Sequence, residues 1–553
     1  MPLGSLIRVR KPIRRAIGSE DQSVTKTPSK WIRLPLAALS GLLAGYAALA
    51  VAELVSAAVR PESEPIVAVG AAAIDRTPPG LKDWAIRHFG TNDKLVLQLG
   101  ILAVLAVIAA LLGLLALYNR RVGASGVLVF GVVGASAATT RPDSTGLVDA
   151  VPSVVGAVAG ALLLYWLAGR LTSAFPFRRS GHPAPSEAGW DRRGFVVAAT
   201  AAAAASTGAG ILGRALNDAK GNNAVASRNA VRLPRPTSPA APVPKGAQVR
   251  VPGVSSFITP DSTFYRVDTA LVVPKVDANS WKLRIHGKGV TRPLTLDFRD
   301  LLHRDLIERT ITLTCVSNEV GGPYVGNARW IGVRLADVLK EAGVKPPSRG
   351  GPANQLVARS VDGMTIGSPV EDLMDGRDAM LALGMNGEPL PFAHGFPVRM
   401  VVPGLYGYVS ACKWIQDIEL TTFDAYDPYW VNHGWSKQAP IKTESRIDTP
   451  KSFARLKAGT TVMIAGVAWA QHRGIERVEV RIDDGPWSKA HLAAQDTTDT
   501  WRQWSFPWKP TSSGTHTLTV RATDRTGATQ TGKRVGTIPN GATGWHSVVV
   551  TVE

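Results

Sequence analysis

Cysteine is nearly absent from this sequence of 553 residues, which contains only Cys315 and Cys412. Two cysteines cannot build a disulfide framework, and an iron–sulfur cluster held by thiolates usually takes four. The sequence also lacks a Cys-x-x-Cys-His segment, so we expect no attached c-type haem. These absences exclude the common cofactors that need several thiolate ligands.

Histidine is scarce in the N-terminal part, where residues 1–215 contain only His88 and His182. A b-type haem held between two facing histidines is therefore not expected there. Lys and Arg number 62 against 43 for Asp and Glu, a net charge of +19, yet no nucleic-acid-binding motif is present. The positive charge fits the cytoplasmic flanks of membrane helices and an anion-binding pocket, and we expect no nucleic-acid partner.

Long apolar runs are abundant in the N-terminal part of the chain. After a basic tail over residues 1–33, we predict a transmembrane domain over residues 34–215. Its five stretches come near the length of about 20 residues that crosses a bilayer. The predicted spans are 34–59, 95–118, 122–140, 147–167 and 195–212. Residues 65–89 are interrupted by Pro78, Pro79 and Gly80, and we expect them to lie on the membrane surface.

The charges of the loops predict the orientation of the spans. The tail, the loop with Arg120 and Arg121, and the loop before the fifth span are all basic, and basic loops tend to stay in the cytoplasm. Five spans then leave everything after residue 215 outside. We therefore expect a multi-pass protein of the cell (inner or plasma) membrane whose larger part is extracytoplasmic.

The fifth predicted span begins with two adjacent arginines, Arg192 and Arg193, followed by Gly194 and Phe195. This segment resembles a twin-arginine export signal, which directs folded proteins across a membrane. The pair alone equally fits a charged anchor at the end of a helix. Both interpretations remain open at this point.

The rest of the chain divides by composition into three regions. Residues 216–250 are rich in Pro, Ala, Asn and Arg and predict an extended linker. Residues 251–440 mix short strands with short helices, as in an α+β domain. Residues 441–553 alternate as regular strands, with a turn at Asp483-Asp484-Gly485, and predict an all-β, immunoglobulin-like sandwich.

One stretch of the α+β region combines a strand with a thiol. Residues 311–314 alternate apolar and polar, Cys315 follows them, and Gly321 and Gly322 then force a loop. A thiolate at such a position suits a transition metal. A lone cysteine is also commonly a small buried filler, so the spacing alone leaves both readings open.

Further segments extend this pattern: Ala328-Arg329-Trp330, MNGEPLP at 385–391, HGFPVR at 394–399, Val402-Pro403-Gly404 and Lys413-Trp414. In order and spacing they resemble the sulfite oxidase family of molybdopterin enzymes. The C-terminal region, most clearly from Ala468-Trp469 to Asp484-Gly485, resembles that family's dimerisation domain. The expected architecture is therefore a helical membrane domain, an α+β molybdopterin domain and a dimerisation-type sandwich.

The resemblance implies a Mo-molybdopterin cofactor whose metal is bound by Cys315. The phosphate and pterin need cations and polar donors, and arginine grips phosphate with two parallel hydrogen bonds. The residues that the resemblance assigns to the cofactor, besides Cys315, are Tyr265, Arg266, Asp268, Asp362, His394, Arg399, Ser410, Cys412 and Lys413.

Two positions depart from the family pattern. Sulfite-oxidising members have an arginine shortly after the metal-binding cysteine, where this chain has Glu319, and a tyrosine where it has Met364. Arg266 could offset part of the lost positive charge. With Cys315, these are the residues that we expect to determine catalysis, and a dianion such as sulfite should be held less well here.

The sequence thus predicts a membrane-anchored oxidoreductase that catalyses two-electron oxygen-atom transfer at molybdenum. Its substrate would be a small oxyanion or an S-oxide or N-oxide, its electrons would pass to a separate carrier, and its sandwich suggests a homodimer. The alternatives are a catalytically inactive membrane binding or assembly protein, and an S-oxide or N-oxide reductase. A cofactor inserted during cytoplasmic folding favours twin-arginine export.

Overall fold

The computed structural model of the chain describes residues 30–78, 93–141, 143–172 and 192–553, together with Leu81, Trp84, His88 and Phe89. The basic tail before residue 30, much of the segment at 79–92 and the basic loop at 173–191 lie outside the described residues. Predictions on those stretches, including the charges of the tail and of the loop before the fifth span, are therefore not addressed by the structure.

The N-terminal part is a bundle of helices. They are α1 (Lys30–Ala58), α2 (Pro65–Arg76), α3 (Asp93–Tyr118), α4 (Arg120–Thr139), α5 (Val151–Thr172) and α6 (Arg192–Ala230). Within the described residues, five helices are long and apolar enough to cross a membrane, namely all of these except α2. The five apolar stretches predicted from the sequence fall on these five helices.

Small residues allow the helices of the bundle to pack closely. A Cβ atom added at Gly41 of α1 would lie 1.9 Å from the carbonyl oxygen of Ala109 in α3. One added at Gly156 of α5 would lie 2.4 Å from the carbonyl oxygen of Ala48 in α1. Backbones this close are typical of helices that associate through dispersion contacts in lipid.

The predicted linker at 216–250 is wrong in its first part, because α6 continues to Ala230. Residues 216–230 contain no proline, and the first proline that prevents a helix is Pro234. The end of α6 also contacts the next domain. Arg228 donates from Nε to the carbonyl oxygen of Leu390 and from Nη2 to that of Pro389, both at 2.7 Å.

The α+β domain contains two five-stranded sheets. The first consists of β1 (Lys282–Gly287), β2 (Leu294–Asp297), β5 (Gln355–Ser360), β6 (Thr365–Pro369) and β10 (Ile415–Thr421), in the order β2-β1-β10-β5-β6. The second consists of β3 (Leu306–Thr314), β4 (Val325–Arg334), β7 (Met380–Met385), β8 (Glu388–Pro389) and β9 (Arg399–Val401). Its order is β3-β4-β7-β8, with β9 also paired to β7.

Short helices connect the strands of this domain. They are α7 (Phe298–Leu302), α8 (Leu335–Glu341), α9 (Val370–Met374), α10 (Gly407–Ser410) and α11 (Tyr429–Asn432). The long hairpin of β3 and β4 pairs Leu306 with Val333 and Thr314 with Val325. Its nearly continuous burial, with Trp330 fully covered, places the end of β3 deep inside the domain.

The C-terminal region is a sandwich of two sheets. One has the order β11-β13-β17-β16, formed by Glu444–Thr449, Val462–Trp469, Arg502–Trp508 and His491–Leu492. The other has the order β12-β19-β18-β14-β15, formed by Arg455–Leu456, His546–Val552, Gly514–Asp524, Ile475–Ile482 and Ser488–Lys489. The two inner faces bury a shared apolar core that includes Trp504 and Val520. An all-β sandwich was predicted for this region.

Candidate cofactor site

A cavity of about 120 Å³ lies where β3, the β5–β6 hairpin and the segment after β9 meet. Of the residues assigned to the cofactor from the sequence, eight line it: Tyr265, Asp268, Cys315, Asp362, His394, Arg399, Cys412 and Lys413. Met364 also lines the cavity. Residues separated by up to 148 positions in sequence, from Tyr265 to Lys413, thus share one concave surface.

Cys315 follows β3 directly and is buried at the cavity wall. Its backbone N–H donates to the carbonyl oxygen of Tyr324 at 3.0 Å, and Oδ1 of Asn318 accepts from the backbone of Tyr324 at 2.7 Å. These bonds close the loop behind the thiol. Burial raises the pKa of Cys315, although hydrogen bonds from Ser317 oppose this. A bound cation would therefore be needed to stabilise its thiolate.

The C-terminal sandwich holds the strand that carries the thiol. Gln471 donates from Nε2 to the carbonyl oxygen of Thr312 and to Oγ1 of Thr314, both at 2.9 Å. The backbone N–H of Trp501 donates to Oγ1 of Thr312 at 2.7 Å. Gly321 has φ +81°, and a Cβ there would lie 2.1 Å from the ring of His546. The sandwich therefore fixes both the strand and the loop around Cys315.

Arg399 places a buried positive charge at the cavity, with 5% of the residue exposed. Its Nη1 donates to the carbonyl oxygen of His394 at 3.2 Å, and its guanidinium lies 5.0 Å from the centre of the Trp330 ring. Its Nε has no hydrogen-bond partner among the described residues. Burial lowers the pKa of Arg399 to about 10, so it stays charged at neutral pH. A buried charge without a counter-ion favours binding of an anion.

His394 lies beside Arg399 and is neutral at physiological pH. Burial and the charge of Arg399 lower the pKa of His394 to about 4. One ring nitrogen, Nε2, lies 3.1 Å from the carbonyl oxygen of Asp261, an acceptor, which assigns the proton to Nε2. The other nitrogen, Nδ1, is then an acceptor for a ligand N–H.

Asp268 forms salt bridges with three cationic side chains at one edge of the cavity. Its side chain is 4% exposed, and it pairs with Lys413 at 2.7 Å, Arg266 at 2.9 Å and Lys94 at 2.5 Å. Burial alone raises the pKa of Asp268, but the charges of Lys413, Lys94 and Arg266 outweigh it and hold the pKa well below its ordinary value. Burial lowers the pKa of Lys413 to about 8, although Asp268 opposes this. The cluster carries more positive than negative charge, as an anion site requires.

Asp362 and Met364 lie in the turn between β5 and β6. Oδ1 of Asp362 accepts from Oγ of Ser360 at 2.5 Å and from the backbone N–H of Met364 at 3.3 Å. Burial raises the pKa of Asp362, and the carboxylates of Asp268 and Asp143 raise it further. The carboxyl group of Asp362 can therefore form a hydrogen bond with a polar group of a ligand.

Three of the residues assigned from the sequence do not line the cavity. Ser410 is buried, but its hydroxyl donates to the carbonyl oxygens of Leu405 and Tyr406, both at 3.0 Å. Arg266 reaches the site only through Asp268. Glu319 is exposed and lies outside the cavity wall, because the loop after Cys315 turns it outward. The expectation from the sequence that Glu319 helps to determine catalysis is therefore corrected.

Other residues at the site were missed from the sequence. Trp430 and Trp435 line the cavity, and the density of aromatic residues between 426 and 435 could have indicated them. Lys94 could not have been found, because it lies at the start of the apolar helix α3, 174 residues before Asp268. Its contact appears only when the bundle packs on the α+β domain.

Comparisons with known proteins agree with this geometry. Residues 270–430 match the family described as oxidoreductase molybdopterin binding domain. The chain is also similar to sulfite oxidases, and these matches support a molybdopterin-dependent oxidoreductase of the sulfite oxidase family. This confirms the predicted family and its Mo-molybdopterin cofactor. Residues 444–520 match the family described as bacterial Ig domain, which confirms the immunoglobulin-like character of the sandwich.

Individual relatives show how far the similarity to this family reaches. Mitochondrial sulfite oxidase of Mus musculus is 30% identical over 291 residues, which cover 45% of this chain and 53% of that protein. Sulfite oxidase of Arabidopsis thaliana is 28% identical over 303 residues, 45% of this chain and 76% of that protein. The chain spans about half the length of the mammalian sulfite oxidases it matches.

Among solved structures, the sulfane dehydrogenase SoxCD from Paracoccus pantotrophus is 24% identical and superimposes with a TM-score of 0.45. The match covers 54% of this chain and 83% of that chain.

The residues of the cavity fit the family's cofactor. Cys315 supplies a thiol, a soft ligand that suits a transition metal. The unpaired Nε of Arg399 and the cations around Asp268 supply donors for a phosphate. The neutral His394 and the carboxyl group of Asp362 can pair with the polar edge of a pterin. All of these groups already lie at the wall or edge of the same cavity.

Proposed function

We propose that the chain is a membrane-anchored molybdopterin oxidoreductase that catalyses two-electron oxygen-atom transfer between water and a small substrate. The observation that carries this proposal is that one cavity wall holds the Cys315 thiol and the buried Arg399 guanidinium, whose Nε has no hydrogen-bond partner among the described residues. When bound, the cofactor supplies the redox chemistry at its metal. The protein supplies the thiolate, the phosphate contacts and the walls that select the substrate.

The walls of the cavity favour a substrate that is neutral and partly apolar. Met364, Tyr408, Trp430 and Trp435 line it, while Glu319 does not. Met364 offers a soft, flexible surface where a hydroxyl donor would otherwise grip an oxyanion. We infer an organic sulfur or nitrogen compound that interconverts with its S-oxide or N-oxide. The cavity does not contain the additional arginine that sulfite-oxidising members use to bind the sulfite dianion.

The alternative of an inactive binding or assembly protein was motivated by Glu319 and Met364. Glu319 does not reach the cavity. Met364 forms part of the cavity wall, and the cavity remains open beside it. The thiol and the cation cluster are retained, and an inactive scaffold would need neither. The arrangement therefore supports an enzyme over a scaffold.

The five apolar helices support anchoring in the cell membrane. The basic loops of the sequence favour a cofactor-binding domain on the extracytoplasmic side. Arg192 begins α6, which suits an export signal that tethers a folded domain to this last span. We expect that Arg192→Lys combined with Arg193→Lys leaves the large domain in the cytoplasm, as read by protease protection of intact cells. Normal export of this variant would show that the pair is only an anchor.

The central test is metal analysis of the purified full-length protein, followed by steady-state kinetics with an artificial electron carrier. We expect about one molybdenum per chain, because one cavity is built around one thiol. We expect turnover with neutral organic sulfides or S-oxides to exceed turnover with sulfite. Efficient sulfite oxidation, with kcat/KM of about 10⁴–10⁸ M⁻¹s⁻¹, would contradict the substrate assignment. Absence of molybdenum from protein produced in a cofactor-competent host would contradict the function itself.

A further inference from the structure

A second cavity lies between the helices of the bundle and opens at the bundle surface, and its walls are almost entirely apolar. It has a volume of about 770 Å³ and lies among α1 to α5. Its walls include the start of α3 at Val96 and Leu97, the start of α2 at Ile66, and the start of α5 at Ser153. The volume is typical of sites that bind drug-sized ligands. At the start of α3, Lys94 contacts Asp268, so this end of the cavity faces the cofactor domain.

Ser153 provides a polar group in this apolar wall. Its side chain is buried, with 3% of the residue exposed, and its Oγ has no hydrogen-bond partner among the described residues. Ser40, Ser56 and Ser63 are equally buried in the same bundle, and each donates to a backbone carbonyl. A hydroxyl without a partner in an apolar wall is costly, so Ser153 is suited to bind a ligand that carries an acceptor oxygen.

The apolar cavity is close to the cofactor site. Asp268 lines the cofactor cavity, and Leu271, three residues later, packs on α2, where a Cβ at Gly70 would lie 2.7 Å from it. The same position is 3.6 Å from Ile101, which lines the apolar cavity. Three residues span at most about 10 Å. The walls of the two cavities are therefore neighbours.

We propose that the apolar cavity binds a lipid-soluble quinone that accepts the electrons released by substrate oxidation. This proposal rests on the redox function proposed above and names the electron carrier. One quinone carbonyl accepts a hydrogen bond from Ser153, and the ring and tail fill the apolar space. The overall reaction balances: substrate, water and quinone give the oxygenated substrate and quinol. Two electrons and two protons leave the substrate and water, and the quinone takes up both.

Binding can be measured without turnover. Full-length protein in detergent is titrated with decylubiquinone by calorimetry, using wild-type, Ser153→Ala, Ser56→Ala and Cys315→Ala proteins. We expect saturable binding to the wild type and a loss of about tenfold in affinity for Ser153→Ala, from one lost hydrogen bond. Ser56→Ala is the matched control, because its hydroxyl donates to the carbonyl of Glu53 outside the cavity. It should bind as the wild type does.

The variant Cys315→Ala separates this proposal from the proposed function. It should bind decylubiquinone normally, because its substitution lies outside the apolar cavity. Equal binding by wild-type and Ser153→Ala proteins, or recovery of phospholipid alone from the cavity, would overturn the quinone site. Substrate-dependent reduction of an artificial carrier but not of bound decylubiquinone would overturn its role as acceptor. If the protein lacked molybdenum yet bound decylubiquinone through Ser153, the quinone site would stand, whereas the redox function and the acceptor role would both fail.

Discussion

Replacing Lys94 by methionine should weaken the cofactor site, although Lys94 belongs to the apolar helix α3. Its Nζ contacts Asp268 at 2.5 Å, and the Asp268 side chain is 4% exposed. A hydrogen bond to a charged group contributes about 1.5–3 kcal/mol. We expect the lower part of this range, because the Lys94 side chain is 21% exposed and Asp268 keeps Lys413 and Arg266. Lys94→Arg should retain most of the effect.

The assay has two readouts, thermal unfolding of the detergent-solubilised protein and molybdenum retained after gel filtration. An unfolding shift of several degrees is expected, at about 2–4 °C per kcal/mol for a domain of this order of size. Lys340→Met is the control, because its pair with Asp337 is exposed and such pairs contribute only about 0–1 kcal/mol. Equal behaviour of Lys94→Met and Lys340→Met would refute the argument. So would additive effects of Lys94→Met and Asp268→Asn in a double-mutant cycle.

Three further predictions concern the cavity itself. Cys315→Ala should keep the fold but lose molybdenum and turnover, whereas Cys412→Ser, which changes one buried atom, should keep both; metal analysis with kinetics decides. Burial lowers the pKa of Lys413 to about 8, so Lys413 should lose its positive charge as the pH rises through 8. Retention of an anionic cofactor should then fall, which dialysis over a pH series measures. Retention that does not change with pH would count against a phosphate contact. Glu319→Gln should leave substrate preference unchanged, while Met364→Tyr should raise the relative rate with sulfite; competition kinetics would expose the opposite ranking.

Much of the fold could be predicted from the sequence, because local periodicity and turn residues decide it. The region 441–553, predicted as regular strands, contains the strands Val462–Trp469 and Ile475–Ile482, and the region 251–440, predicted to mix strands and helices, contains the helix Leu335–Glu341. The helix end at Ala230 was missed because a proline-rich composition was averaged over residues that contain no proline. Composition is an average over many residues, whereas the end of a helix is set by individual residues such as Pro234.

The orientation of Glu319 could not be predicted from spacing. Asn318 caps the backbone of Tyr324, and Gly321 adopts a φ of +81° against His546, a residue of the last strand. The loop direction therefore depends on a contact across more than 200 residues. Spacing from Cys315 placed Glu319 near the metal ligand in sequence, but the turn removes its side chain from the cavity.

Polar contacts join the bundle to the cofactor domain around the cofactor cavity. Lys94 pairs with Asp268, Tyr429 donates from its hydroxyl to Asp75 of α2 at 2.5 Å, and Arg228 of α6 bonds the segment after β8. Two of these reach the cavity wall, since Asp268 lines it and Tyr429 precedes Trp430, which also lines it. A helix that served only as a tether would have no reason to supply a cation to a buried carboxylate. The contacts therefore make the bundle a structural part of the cofactor site, so a substitution in α2 or α3 can alter cofactor retention without touching the cofactor.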